Sequence, residues 1–115
     1  MSELDKIKLQ LRHFAAERDW DQFHSPKNLA MALIVEAAEL VEHFQWLTEE
    51  QSQTLTPDKL AEVEQEIADI QIYLIRLADK LGVDMEQAVN NKIELNEKKY
   101  PADKVRGSAE KYNEC

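Results

Sequence analysis

Apolar residues recur along most of the chain at the spacing of an α-helix. Between residues 4 and 14 they follow one another at intervals of three and four residues, the pattern of an amphipathic helix. We therefore predict a first helix from about residue 3 to residue 17, with Ser2 as its N-cap. A polar connection over residues 18–24 contains Trp20 and Phe23.

Capping and helix-breaking residues set the limits of three more helices. Ser25 and Thr56 each precede a proline, which predicts helices that begin at residues 26 and 57. The second helix is expected to end near residue 46, and the third at residue 81 before Gly82. Residues 48–55 are polar and predict a short turn or loop. Asp84 can cap a fourth helix, which Pro101 closes.

The same pattern predicts the fold class. No segment of the sequence alternates apolar and polar residues like a half-buried strand. We predict an all-α fold, a four-helix bundle formed by a single domain over residues 1–115 with a tail from about residue 102. Exchange of one helix with a partner subunit stays open, and a chain this short is expected to form oligomers.

Acidic residues occupy the centres of two apolar faces. At about 100° per residue, Glu36 is centred on the apolar face of the second helix, and Glu66 on that of the third. Glu39 and Asp69 follow at i+3, at the edges of the same faces. Residues 36–44 and 66–74 also share their order of acidic, alanine, aliphatic and aromatic positions. This short repeat suggests a site with two-fold pseudosymmetry.

Four carboxylates that converge between two helices require positive charge. Two of them about 4 Å apart repel by roughly 4 kcal/mol at an effective dielectric of 20. A divalent cation resolves this repulsion, and hard oxygen donors suit Mg²⁺, Mn²⁺ or Ca²⁺ better than Zn²⁺. The competing interpretation is a solvated helix face. A di-iron bundle would need Glu-x-x-His pairs, which the sequence lacks.

Composition and charge restrict the partners and the location. The chain has 14 Lys and Arg residues against 23 Asp and Glu residues, for a net charge of −9, so we expect no nucleic-acid binding. No run of 18 apolar residues predicts a membrane span, and the amphipathic start is unlike a secretory signal. The single cysteine, Cys115, fits a reducing compartment. We therefore expect a cytoplasmic protein.

The spacing of the acidic residues resembles a known family motif. The pair Glu36-x-x-Glu39, 26 intervening residues and the pair Glu66-x-x-Asp69 resemble the metal motif of the MazG-like all-α nucleoside triphosphate pyrophosphohydrolases. FAAERDW (residues 14–20), FQW (44–46), KYP (99–101) and GSAEKY (107–112) resemble the dCTP pyrophosphatase branch. The resemblance covers about residues 14–112.

This resemblance implies a reaction and a site. Members hydrolyse a nucleoside triphosphate between the α and β phosphates, use Mg²⁺ (with Mn²⁺ as a substitute), and assemble as homodimers or homotetramers whose subunits share bundles. It implies that the four acids bind the metal ion. From the chemistry of water activation we further hypothesise that one acid accepts a proton from the attacking water, with Glu36 or Glu39 as the favoured general base. It assigns the remaining positions to the nucleotide, with Trp20, Trp46 and Tyr73 around it and Lys92 and Asn96 at its phosphates.

The side chains themselves are compatible with these roles and with simpler ones. Lys92 and Asn96 share one helix face at i and i+4, which suits phosphate binding but also a solvated face. Trp20 and Trp46 can stack on a base or pack in a core or interface. Tyr73 can contact a sugar hydroxyl, or it can belong to the core.

The leading hypothesis is Mg²⁺-dependent hydrolysis of dCTP or a related dNTP to the monophosphate and pyrophosphate, a nucleotide-pool house-cleaning activity. One departure concerns the base. The dCTP-specific animal relatives carry a base-contacting His three residues before the Phe that aligns with Phe14, where this chain has Leu11. The alternatives are the same reaction on dUTP, dATP or a modified nucleotide, or a non-catalytic helical oligomer that binds metal or a partner.

Overall fold

The computed structural model describes residues 1–108, and over these residues helices form almost all of the regular structure. This confirms the all-α prediction. Because no described helix is both long and apolar enough, none is a candidate membrane span. The elements are α1 (Glu3–Glu17), a 3-10 turn (Asp21–Phe23), α2 (Pro26–Glu42), α3 (Glu49–Ser52), α4 (Pro57–Leu81), α5 (Met85–Lys99) and α6 (Ala102–Val105).

The predicted caps define the starts of the long helices. The Ser2 hydroxyl accepts from the Asp5 backbone N–H at 3.1 Å, and Asp5 accepts in return from the Ser2 N–H at 3.3 Å. The Thr56 hydroxyl accepts from the N–H of Lys59 at 3.2 Å. Gly82 ends α4 with φ at +69°, in the left-handed region that glycine adopts without steric cost. These starts and this end confirm the sequence predictions.

Three short segments differ from the prediction. Helix α2 ends at Glu42, about four residues before the predicted end, and the chain continues in turns that carry Trp46. The polar stretch predicted as a loop contains α3, because Thr48 and Gln51 form a capping box that closes one helical turn. A further short helix, α6, lies in the predicted tail.

The chain divides into two compact units, Met1–Gly82 and a second that begins at Val83. In the first unit, both α2 and α1 pack against α4, and the α2–α4 contact is the more extensive. The buried apolar residues described come from all three helices: Ala15, Leu29, Val63 and Ile75. The second unit contains α5 and α6 among the described residues. The single-domain interpretation stays a prediction.

Candidate active site

The packing of α2 on α4 brings acidic residues from the two helices together. Glu36, Glu39 and Glu66 each offer a carboxylate oxygen, and these three oxygens lie within 4.8 Å of one another. Glu36 and Glu39 are neighbours on α2 because i and i+3 share a helix face, and Glu66 comes from the facing side of α4. Three of the four predicted metal ligands therefore form one cluster.

The cluster is electrostatically unfavourable without a cation. The pKa of Glu36 is raised to about 7 by burial, by hydrogen bonding to Glu66 and Glu39, and by the charges of Glu39 and Asp69. Oε2 of Glu66 is buried and has no hydrogen-bond partner among the described residues. A buried carboxylate oxygen that faces other carboxylates is a suitable ligand for a hard divalent cation. The donor set therefore fits the expected metal ion.

Asp69, the fourth predicted ligand, lies outside this triplet of oxygen atoms. Its charge nevertheless reaches the cluster, because it contributes to the raised pKa of Glu36. Burial, followed by the charges of Glu36 and Asp69, also raises the pKa of Tyr73. The phenol of Tyr73 therefore stays protonated at neutral pH and is available as a hydrogen-bond donor beside the acids.

An open cleft of about 370 Å³ borders the cluster. His43 lies in it with Nε2 3.9 Å from Oε1 of Glu66, while its Nδ1 is 3.3 Å from Nζ of Lys59. Lys59 also pairs with Glu62 at 3.3 Å. Lys59 lies near the start of α4, and its long side chain reaches His43 and Glu62 of the cleft lining. The lining residues are Glu39, Glu42, His43, Glu62, Gln65 and Glu66.

The two tryptophans lie in different surroundings. The Trp20 ring packs edge-on against Phe14 with the centroids 5.7 Å apart, and the Arg18 guanidinium stacks over Phe14 at 3.6 Å. Trp46 is 86% exposed in the turns after α2. The two residues assigned to the phosphates are exposed one turn apart on α5, in the second unit: Lys92 and Asn96.

One buried basic residue, Arg76, was not among the predicted site residues. Arg76 is only 4% exposed and donates to Asp21 from Nη2 at 2.9 Å. Arg76 follows Tyr73 by three residues, so both lie on one face of α4. An arginine among apolar residues is the sequence signal that could have indicated its role. Its partner could not be found from spacing, because the two residues are 55 positions apart.

Grouped carboxylates on two packed helices of an all-α fold are typical of helical proteins that bind metal ions within a bundle. The model of the MazG-like family matches residues 31–115. The chain belongs to the MazG-like family, whose members hydrolyse nucleoside triphosphates to the monophosphate and pyrophosphate. The predicted family and class of enzyme are thereby confirmed.

Individual relatives agree with this assignment. Proteins named dCTP pyrophosphatase 1 are 45% identical in Bos taurus and 43% in Homo sapiens, each over 113 residues or 96% of this chain. The chain spans about two thirds of their length, 67% and 66%. The crystal structure of a pyrophosphatase from Archaeoglobus fulgidus superposes with a TM-score of 0.82 at 39% identity, over 88% of this chain and 94% of that one.

Proposed function

We propose that the protein hydrolyses dCTP or a closely related deoxynucleoside triphosphate to the monophosphate and pyrophosphate, with Mg²⁺ as its metal ion. The observation that supports this most strongly is the carboxylate cluster of Glu36, Glu39 and Glu66 between two packed helices. The names of the relatives support dCTP, and the hard oxygen donors support Mg²⁺, with Mn²⁺ as a substitute.

In this proposal the cluster and Asp69 hold the metal ion. Bound Mg²⁺ neutralises phosphate charge and lowers the pKa of bound water. Glu36 and Glu39 are the candidates for the group that accepts a proton from the attacking water. Glu39 is exposed to the cleft, whereas Glu36 is half-buried and electrostatically linked to the other acids.

The nucleoside would contact side chains around the first unit. Trp20 and Trp46 present aromatic surface on which a base can stack, an interaction worth about 1–3 kcal/mol per base. The protonated phenol of Tyr73 can donate to a sugar hydroxyl. Lys92 and Asn96 offer a charge and an amide donor to the phosphates, as the family resemblance implies.

We also propose that the protein is a homodimer or homotetramer. Large apolar side chains remain exposed on α2 and α4, among them Ile34 at 65% and Ile67 at 55%. A second copy would bury this surface and strengthen a small core. A cytoplasmic location stays a prediction that rests on the cysteine content.

The test is a hydrolysis assay in Mg²⁺ over dCTP, dUTP, dATP, dGTP, dTTP and 5-modified dCTP, with products separated. We expect pyrophosphate and the monophosphate, the highest kcat/KM for dCTP, and no turnover in EDTA. Release of orthophosphate, or no turnover of any substrate, would contradict the proposal.

Leu11 favours a second candidate, the same reaction on another base. An aliphatic side chain supplies no hydrogen bond at the position where the family resemblance implies a base-contacting His, so discrimination between bases is weakened. A preference for dUTP, dATP or a modified nucleotide in the same assay would establish this candidate. It would leave the reaction and the metal site as proposed.

A further inference from the structure

We propose that Arg76 and Asp21 are positioning residues for the nucleobase. They hold the connector, residues 18–24, in one conformation against α4, and this connector carries Trp20. The inference rests on the proposed function, because it assumes that Trp20 contacts the base.

The Arg76 guanidinium joins both ends of the 3-10 turn to α4. Nη2 donates to Oδ1 of Asp21 at 2.9 Å, at the first residue of the turn, and lies 3.2 Å from Nδ1 of His24, just after its last. Nη1 lies 3.6 Å from Oδ2 of Asp79. A buried guanidinium is costly unless its partners compensate its charge, and here the connector supplies one of those partners.

A second cation binds the same carboxylate oxygen. Nζ of Lys80 lies 2.6 Å from Oδ1 of Asp21, and Lys80 follows Arg76 by one helical turn. Hydrogen bonds from Lys80 and then Arg76 lower the pKa of Asp21, so its carboxylate is ionised at neutral pH. The connector is therefore tied to α4 through two adjacent positions of one helix.

The backbone before Trp20 is fixed as well. Asp19 has φ at +54°, a left-handed conformation that a non-glycine residue keeps only when its surroundings determine it. Gln22 donates to the Asp19 carbonyl and to Oδ2 of Asp19, both at 3.0 Å. The Trp20 N–H donates to the Ala15 carbonyl at 2.9 Å. Trp20 thus lies between Asp19, whose conformation is fixed by these hydrogen bonds, and Asp21, which forms salt bridges to α4.

Helix α4 therefore carries both a residue that positions Trp20 and an acid of the cluster. Glu66 and Tyr73 share one face of α4, and Arg76 follows Tyr73 by about one turn of the same helix. If the Trp20 indole already has its binding conformation in the free protein, it loses less conformational entropy when the base binds. The Asp21–Arg76 pair therefore contributes to nucleotide affinity, while the acids contribute to the chemical step.

The experiment compares Asp21→Ala with Asp21→Glu and Asp5→Ala in Mg²⁺ and dCTP. Asp5→Ala removes the same charge and also breaks hydrogen bonds, but at the capping box of α1. We expect Asp21→Ala to raise KM about five- to tenfold, within the range of base stacking, with kcat within about twofold of wild type. Asp21→Glu should restore most of the affinity, and Asp5→Ala should keep the wild-type KM.

A spectroscopic measurement reports on the connector without catalysis. In a Trp46→Phe background, Trp20 is the single tryptophan. Acrylamide should quench its fluorescence more strongly when Asp21→Ala is added, because the connector loses its ties to α4. Added Asp5→Ala should leave the quenching constant unchanged.

The outcomes separate this inference from the proposed function. A wild-type enzyme that hydrolyses dCTP, together with an unchanged KM in Asp21→Ala or an equal rise in Asp5→Ala, would overturn the positioning role alone. Unchanged quenching in Asp21→Ala would overturn it too. A wild-type protein that neither binds nor hydrolyses any triphosphate would overturn both, whatever the fluorescence shows.

Discussion

Glu36 is the residue at which burial and neighbouring charge are most strongly combined. Its pKa of about 7 lies above the ordinary value of 4.5. Between these two pH values the folded protein binds more protons than the unfolded chain, so this group's contribution to stability decreases as pH rises. This loss of stability is complete above about pH 7, where Glu36 is ionised among the other acids. A bound cation would remove it.

The first prediction concerns this pH dependence. In EDTA, we expect the Tm of wild type to fall below that of Glu36→Gln at pH 8, and the difference to shrink towards pH 5. Differential scanning fluorimetry of both proteins measures it, and the comparison cancels contributions from titrating groups outside the acidic cluster. A difference between the two proteins that does not vary with pH would contradict the assignment.

The second prediction concerns Glu66, whose buried Oε2 has no hydrogen-bond partner among the described residues. Glu66→Gln should lower kcat/KM in Mg²⁺ by on the order of 100-fold or more, since removal of a direct ligand should cost at least as much as removal of a group that supports one. In EDTA the same substitution should raise the Tm, because it removes a charge from a repelling cluster.

Glu64→Gln is the matched control, because Glu64 is exposed on the same helix and its substitution removes the same charge. It should keep wild-type activity and Tm. Retention of full Mg²⁺-dependent turnover by Glu66→Gln would remove Glu66 from the metal site.

At the level of elements, local capping chemistry defines the helix starts. The Ser-Pro and Thr-Pro pairs combine an accepting hydroxyl with a proline whose missing N–H costs nothing at the first helical position. Because these interactions lie within a few residues of one another, sequence alone predicted the start of each long helix. The short helix α3 also begins at a residue whose hydroxyl caps it, Thr48. Its four residues were not predicted as helix because they show no apolar period.

The third prediction tests such a cap. Thr56→Ala should lower the free energy of unfolding by about 1 kcal/mol, because the Lys59 N–H loses its acceptor. Urea denaturation followed by circular dichroism at fixed protein concentration measures this change. Thr54→Ala, two residues earlier and outside the cap, should have an effect close to zero. Equal effects of the two substitutions would contradict the capping role.

At the level of the whole molecule, the exposed apolar side chains are its most unusual feature. Many of them lie on α2 and α4, the helices that also carry the acids, and others lie on α1 and α5. In the proposed assembly these side chains would form an interface, and this role could not be assigned from sequence. A helix period identifies an apolar face but does not say whether that face packs inside the subunit or against another copy.

The fourth prediction addresses assembly. Wild type should have a solution mass of at least two 13.4 kDa chains. Ile34→Asp should shift the protein towards a single chain, because a charge at an apolar interface is not compensated. Light scattering after size-exclusion chromatography measures the mass. Gln10→Asp, an exposed position on α1, adds the same charge and should leave the assembly intact, whereas a monomeric wild type would contradict the proposal.

The sequence by itself determined the helices, their caps, and the acids centred on two apolar faces, because these properties depend on residues only three or four positions apart. Tertiary packing decided which acids meet: Glu36, Glu39 and Glu66 share a cluster, while Asp69 acts on it from outside. It also placed Arg76 beside Asp21. Contacts between residues so far apart in the sequence depend on how the helices pack. Helical periodicity relates only residues of the same helix, so it does not predict which residues of different helices meet.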